Sequence, residues 1–111
     1  MTSGNPASCR INYHFVWIPK YRRKILVGPV AERFAALLRE ACGRLGIGVL
    51  SLEVRPDHVH LFVATPPPYA PSQIARWLKG STSPTLREEF PHLRRTKTLW
   101  TGSYYVGTYS V

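Results

Sequence analysis

Two histidines separated by one residue, His58 and His60, are the side chains in this sequence best suited to chemistry. They lie in the stretch 57 to 64, DHVHLFVA, which is otherwise almost entirely apolar. Because successive side chains of a strand point to opposite faces, the two imidazoles share one face while Val59 and Leu61 share the other. Such a pair can bind a metal ion or a phosphate, although neighbouring side chains or water would also satisfy it. Two ligands hold a metal weakly, so phosphate chemistry would also need a third ligand and a nucleophile.

The second chemical feature is positive charge. Fifteen Lys and Arg residues against six Asp and Glu residues give a net charge of +9. This balance favours a nucleic-acid binder, and a ribosomal-type RNA-binding protein would fit it equally well. Tyr21 interrupts the first basic run and can stack on an unpaired base, whereas a solvated loop is the alternative interpretation of that run. The candidate DNA-binding residues are Lys20, Tyr21, Arg22, Arg23, Lys24, Arg76 and Lys79.

Periodicity predicts the elements that position these residues in the first half of the chain. Residues 9 to 18, CRINYHFVWI, alternate between two faces and predict a strand. Residues 28 to 45 carry apolar side chains at three- and four-residue steps between Gly28-Pro29 and Gly46, which predicts an amphipathic helix. Residues 47 to 54 and 58 to 64 flank a Pro-Asp turn and predict an antiparallel hairpin.

The second half of the chain predicts a helix and a final strand. Residues 72 to 79 have helical spacing, and Gly80 and Pro84 should break or bend the helix before it resumes at residues 86 to 90. Residues 100 to 111 are rich in Tyr and Val and predict a last strand or strand pair. The order β-α-β-β-α-β predicts a ferredoxin-like α+β fold, an antiparallel sheet with helices mainly on one face. His58, His60 and Phe62 then project from the opposite face.

Length and composition limit the class of protein. The 111 residues suit a single domain, which we place at residues 9 to 111 behind a polar N-terminal tail at residues 1 to 8. No apolar run approaches the roughly 18 residues of a membrane helix, and the N-terminus lacks a secretory pattern. Cys9 and Cys42 form no CxxC pair and no disulfide framework, so a cytoplasmic protein is expected.

Four stretches together resemble the small single-tyrosine transposases (TnpA-type) of bacterial insertion sequences, members of the HUH superfamily. They are YHFVWIPKYRRKIL at 13 to 26, EVRPDHVHLFV at 53 to 63, Lys79-Gly80 followed by LREEFP at 86 to 91, and LWTGSYYVGT at 99 to 108. The superfamily is named for His, a hydrophobic residue and His, here His58-Val59-His60. The stretches run in the family's order from about residue 11 to the end, whereas a lone His-x-His would be weak support.

The resemblance implies a mechanism and a set of partners. His58 and His60 would bind a divalent cation, Mg or Mn, together with a polar side chain from a later helix. A tyrosine on that helix would attack single-stranded DNA next to a hairpin, giving a 5′-phosphotyrosine and a free 3′-hydroxyl. The basic residues would bind the DNA backbone, and a homodimer would complete each site with the partner's tyrosine.

The resemblance stops short of the nucleophile, because the family's tyrosine and third ligand follow the last strand and this sequence stops at Val111. Tyr104, Tyr105 and Tyr109 fall in the predicted strand region, where packing or base stacking is the expected role. The catalytic residue is therefore unknown. Three hypotheses follow: a transposase domain inactive alone, a DNA hairpin-binding module or repressor without cleavage, and a ferredoxin-like RNA-binding domain. The third would expose Phe15 and Phe62 on its central strands.

Overall fold

Four strands form one antiparallel sheet in the computed structural model, which describes residues 10–102 and 105–109. They are β1 (Ile11–Trp17), β2 (Gly48–Arg55), β3 (His58–Thr65) and β4 (Tyr105–Tyr109), and their order across the sheet is β2-β3-β1-β4. Two short 3-10 helices, Lys20–Arg22 and Pro91–Arg95, lie outside the sheet. The predicted ferredoxin-like α+β arrangement is confirmed.

Two helices pack on one face of this sheet, α1 (Gly28–Leu45) and α2 (Pro71–Glu89). Helix α1 ends as predicted, because Gly46 adopts the left-handed conformation (φ 71°) and donates its N–H to the carbonyls of Cys42 and Gly43. Arg33 and Glu89 join the two helices through two hydrogen bonds of 2.8 and 3.0 Å. Neither helix in the described part of the chain is long and apolar enough to span a membrane.

The core lies between the helices and one face of the two central strands. In β3, Val59, Leu61 and Val63 are fully buried, while the side chains between them are half-buried. In β1, Phe15 and Trp17 are buried in the same core. The predicted burial of one face of β3 is confirmed. The expectation that an RNA-binding fold would expose Phe15 is wrong, because the alternation of β1 turns this ring toward the helices.

Helix α2 corrects a prediction, because it runs without a break through Gly80 and Pro84. Pro84 lies on the exposed side of the helix, and the residue four positions before it is a glycine without a side chain. Buried residues on both sides of the proline, among them Leu78 and Leu86, anchor the helix to the core. Tertiary packing therefore overrides the local breaking signal.

Other predictions differ in their limits or fall outside the described residues. Strand β1 begins at Ile11, and within the described residues the final strand covers Tyr105–Tyr109, while 103–104 and 110–111 of the predicted strand lie outside them. The tail predicted at residues 1 to 8 and Cys9 lie outside the described ranges. Cys42 lies on the buried face of α1, and burial raises the pKa of its thiol to about 11.

Candidate functional site

The face of the sheet that the helices leave uncovered carries the candidate site. His58 and His60 project from this open face, as the alternation of β3 requires. Strand pairing places Val16 of β1 and Glu53 of β2 opposite His60 on its two sides. Tyr105 of β4 lies opposite Val16 and is 63% exposed. The open face therefore combines imidazoles, a carboxylate and an exposed phenol around the centre of the sheet.

His58 is held by an acidic neighbour that a basic residue holds in turn. Its Nδ1 lies 2.8 Å from Asp57 Oδ1, and Arg22 Nε donates to Asp57 Oδ2 at 3.0 Å. The hydrogen bonds from His58 and then from Arg22 lower the pKa of the Asp57 carboxyl from its usual value. The two hydrogen bonds that link Arg22, Asp57 and His58 thus connect the basic turn that follows β1 to the start of β3.

His60 is held by a third histidine that lies on the neighbouring strand. His60 Nδ1 and His14 Nε2 are 3.2 Å apart, and the two rings are nearly parallel, with an interplanar angle of 24° and centroids 5.3 Å apart. The rings of His58 and His60 are 4.8 Å apart. Burial, then the nearby His58 and His14, lower the pKa of His60. Neutral imidazole is therefore favoured at His60, and this is the form that binds a metal ion.

The chemistry of these donors suits a divalent cation, but it supplies only part of a coordination shell. Each candidate ligand uses Nδ1 in a hydrogen bond, so Nε2 is the ring nitrogen that remains for a metal ion. Within residues 10–102 and 105–109, no group of three or more His, Cys, Asp or Glu side chains is arranged to hold a metal ion. The pair fits a half-site that needs a further ligand.

The basic turn after β1 has an unusual backbone. Tyr21 and Arg22 both adopt positive φ, 60° and 52°, which is uncommon for residues other than glycine. Tyr21 is 77% exposed, and Lys20 Nζ lies 5.4 Å from the centre of its ring. Arg23 and Lys24 follow outside any helix or strand. The turn therefore presents an aromatic ring among cations, as expected, but one of those cations, Arg22, is committed to Asp57.

Three of the predicted DNA-binding residues meet elsewhere, in a cleft of about 680 Å³ between α2 and the segment 98 to 102. Lys20, Arg76 and Lys79 line it, and no acidic side chain does. Lys79 is half-buried, its Nζ donates to the carbonyl of Thr101 at 2.9 Å, and burial lowers its pKa. Arg76 is exposed on the same helix. Lys79 therefore stabilises the segment that forms one wall of the cleft and also contributes positive charge to the cleft.

Sequence reasoning missed two residues that hold the histidine pair. The sequence predicts Asp57 only as part of the turn before residue 58, and His14 only as one of the polar residues in the alternating strand 9 to 18. Strand β1 runs antiparallel to β3 with His14 opposite Phe62, two pairs from the Val16–His60 pair, so the imidazoles of His14 and His60 lie on the same face as diagonal neighbours. The alternation of β1 could have revealed that His14 shares the open face, but the register between β1 and β3 is a tertiary property.

The described tyrosines differ in their surroundings. Tyr13 is buried in the core, and the hydroxyl of Tyr69 donates to the carbonyl of Leu45 at 3.0 Å. Tyr105 lies on the open face, and its ring extends over Gly107 of the same strand. The Tyr105 hydroxyl oxygen lies 3.4 Å from the position that a Cβ atom on Gly107 would occupy. Tyr104 and the side chain of Tyr109 lie outside what the structure describes.

Comparison with known proteins identifies the family of this chain. The family described as "Transposase IS200 like" matches residues 7–111. The ISDra2 transposase TnpA of Deinococcus radiodurans is 32% identical over 111 residues, which cover all of this chain and 78% of that protein. The transposase for insertion sequence element IS200 of Salmonella typhimurium is 34% identical over 99 residues. That match covers 86% of this chain and 65% of the relative.

Two solved structures are similar as well. A crystal structure from Deinococcus radiodurans, assigned as a transposase, superposes with a TM-score of 0.89 at 34% identity and covers 99% of this chain and 87% of that one. A tyrosine transposase bound to a REP hairpin superposes with a TM-score of 0.65 at 16% identity, covering 91% and 57%, and this likeness concerns the fold alone. The chain belongs to the IS200-like transposase family.

Proposed function

We propose that this chain binds single-stranded or hairpin DNA and a divalent cation, Mg or Mn, as part of a DNA transposition reaction. The observation that carries the proposal is the arrangement of His58 and His60, side by side on the open face with both Nδ1 atoms already bonded. The relatives named as insertion-sequence transposases support the reaction class. A cation bound at the two Nε2 atoms would offset negative charge on a phosphate of the DNA.

The nucleophile for strand cleavage is left unassigned. Tyr105 shares the open face with the histidine pair, but β4 is two strands from β3, which corresponds to about 9.6 Å between backbones. Its hydroxyl lies against Gly107 of its own strand. We therefore expect residues 1–111 to bind DNA without forming a covalent bond to it. End-labelled hairpin DNA incubated with the chain and Mn would then give no adduct on a denaturing gel, and an adduct mapped to Tyr105 would contradict this.

The metal assignment is tested by calorimetry with Mn. We expect the wild-type chain to bind the ion weakly, because two imidazoles supply only part of a coordination shell, and the His58→Ala, His60→Ala double variant to lose binding. His92→Ala is the matched control, because this histidine is exposed and lies in the Pro91–Arg95 turn rather than on the sheet. Equal Mn affinity in the double variant and in the control would remove the metal assignment.

The DNA-binding assignment is tested by salt dependence. Lys20 and Arg76 line the same cleft, so the Lys20→Ala, Arg76→Ala variant should lose two phosphate contacts. At roughly 0.7 per contact on single strands, the slope of log K against log salt should fall by about 1.4. The control is Arg39→Ala, Arg44→Ala, which removes the same charge from exposed positions of α1. An equal loss in both variants would show that only net charge matters and would move the DNA path away from the cleft.

We also propose that the chain works as a homodimer. The open face exposes Tyr105 and leaves Phe62 half-buried, and β4 lies at the edge of the sheet, where a strand can accept another chain. Light scattering at increasing protein concentration should show a dimer. A monomer that persists at high concentration would contradict the proposal.

A further inference from the structure

The two candidate ligands are oriented by different kinds of partner. His58 Nδ1 meets a carboxylate oxygen of Asp57 at 2.8 Å, which is a common way to orient a histidine that binds a metal ion. His60 Nδ1 meets another imidazole, Nε2 of His14, at 3.2 Å. The same ring nitrogen is therefore engaged in both ligands, although the partner changes from a carboxylate to an imidazole.

The tautomer of His60 follows from this contact if Nε2 is to bind a cation. An imidazole binds a metal ion through an unprotonated nitrogen, so Nδ1 of His60 must carry the proton. That N–H then donates to Nε2 of His14, which must be the acceptor, with the His14 proton on Nδ1. A histidine in water has no acceptor that would fix its proton on Nδ1. The neighbouring strand β1 supplies that acceptor through His14.

Ring contacts keep His14 in the accepting position. Its ring is nearly parallel to that of His60, with an interplanar angle of 24°, and nearly perpendicular to that of Phe62, with an angle of 86° and centroids 6.4 Å apart. Strand pairing sets His14 opposite Phe62, so these contacts come from the central part of the sheet rather than from a loop. The acceptor atom is therefore placed by the most extensively paired strands of the fold.

We infer that His14 is a positioning residue, which holds His60 in the Nδ1–H tautomer and directs its Nε2 toward the open face. The inference rests on the metal site proposed above for His58 and His60. His14 is not assigned as a third ligand, because its Nε2 is already bonded to His60, and the described residues contain no three-ligand arrangement.

The tautomer can be measured directly on the metal-free chain by long-range proton–nitrogen NMR of the histidine rings. We expect His60 to be the Nδ1–H form in the wild type and in the control His92→Ala. In His14→Ala, His60 should revert toward the ordinary mixture of tautomers. His14→Gln should restore the Nδ1–H form, because its amide oxygen can accept the same hydrogen bond. An Nδ1–H form that persists in His14→Ala would overturn the inference.

Manganese titration of the same proteins supplies the second measurement. We expect His14→Ala to weaken Mn binding by about 10- to 100-fold, the usual effect of removing a partner that orients a ligand, and His14→Gln to recover most of it. Unchanged affinity in His14→Ala would also overturn the inference. A wild-type chain that binds no Mn would instead overturn the proposed metal site, and the NMR result would still decide whether His14 sets the tautomer of His60.

Discussion

The two faces of the sheet differ in what their side chains do, although both alternate along the same strands. On the covered face of β3, Val59, Leu61 and Val63 are fully buried and pack against the helices. On the open face, His58 and His60 are half-buried and use hydrogen bonds to neighbouring polar groups. The comparison teaches that one strand can build the core with its odd-numbered residues and present polar, proposed metal-binding side chains with its even-numbered ones.

The largest expected effect is a difference in stability between neighbouring positions on the two faces. Leu61→Ala should lower the free energy of unfolding by about 2–5 kcal/mol, because it leaves a cavity in a closed core. Phe62→Ala should cost less although it removes more atoms, since that ring is already partly in water. Urea denaturation of both variants provides the comparison. An equal or larger loss for Phe62→Ala would mean that the open face is covered in solution.

A smaller effect on stability is expected from the ionisation of Cys42, which tests how completely the covered face of the sheet excludes water. Since the folded pKa is raised to about 11 from an ordinary 9.0, the folded chain keeps a proton that the unfolded chain loses. Stability should therefore fall as the pH rises above about 9. A thiol reagent at pH 8 should react slowly with Cys42 in the native state and fast in urea. Cys42→Ala gives the contribution of Cys9, and rapid native modification of Cys42 would contradict its burial.

The smallest effect is expected on the outer surface of the helical layer, at the Arg33–Glu89 pair. The hydrogen bond from Arg33 lowers the pKa of Glu89 below its ordinary 4.5. The pair therefore stabilises the fold above about pH 4.5, and this contribution is lost as the pH falls through the folded pKa. Glu89→Gln should shift the urea midpoint slightly at pH 7, and this shift should shrink as the pH falls below 4.5. A large shift at pH 7 would mean that water screens this exposed pair less than expected.

The order of elements and the placement of His58 and His60 on one face of a strand could be predicted from the sequence, because both follow from local periodicity. Sequence reasoning failed at Pro84, where the packing of Leu78 and Leu86 keeps α2 continuous. It also failed at His14, whose role depends on the register between β1 and β3. Residues far apart in the chain become neighbours only through tertiary structure, and no local pattern contains that information.

The position of β3 inside the sheet has a consequence for how the molecule opens. Strand β3 is paired on both sides, with β2 and β1, whereas β4 lies at the edge. The backbone amides of β3 that bond to β1 should therefore exchange with deuterated water only when the two central strands separate, while those of β4 exchange through local fraying. Since His58 and His60 belong to β3, their arrangement should persist through partial opening and disappear only with global unfolding.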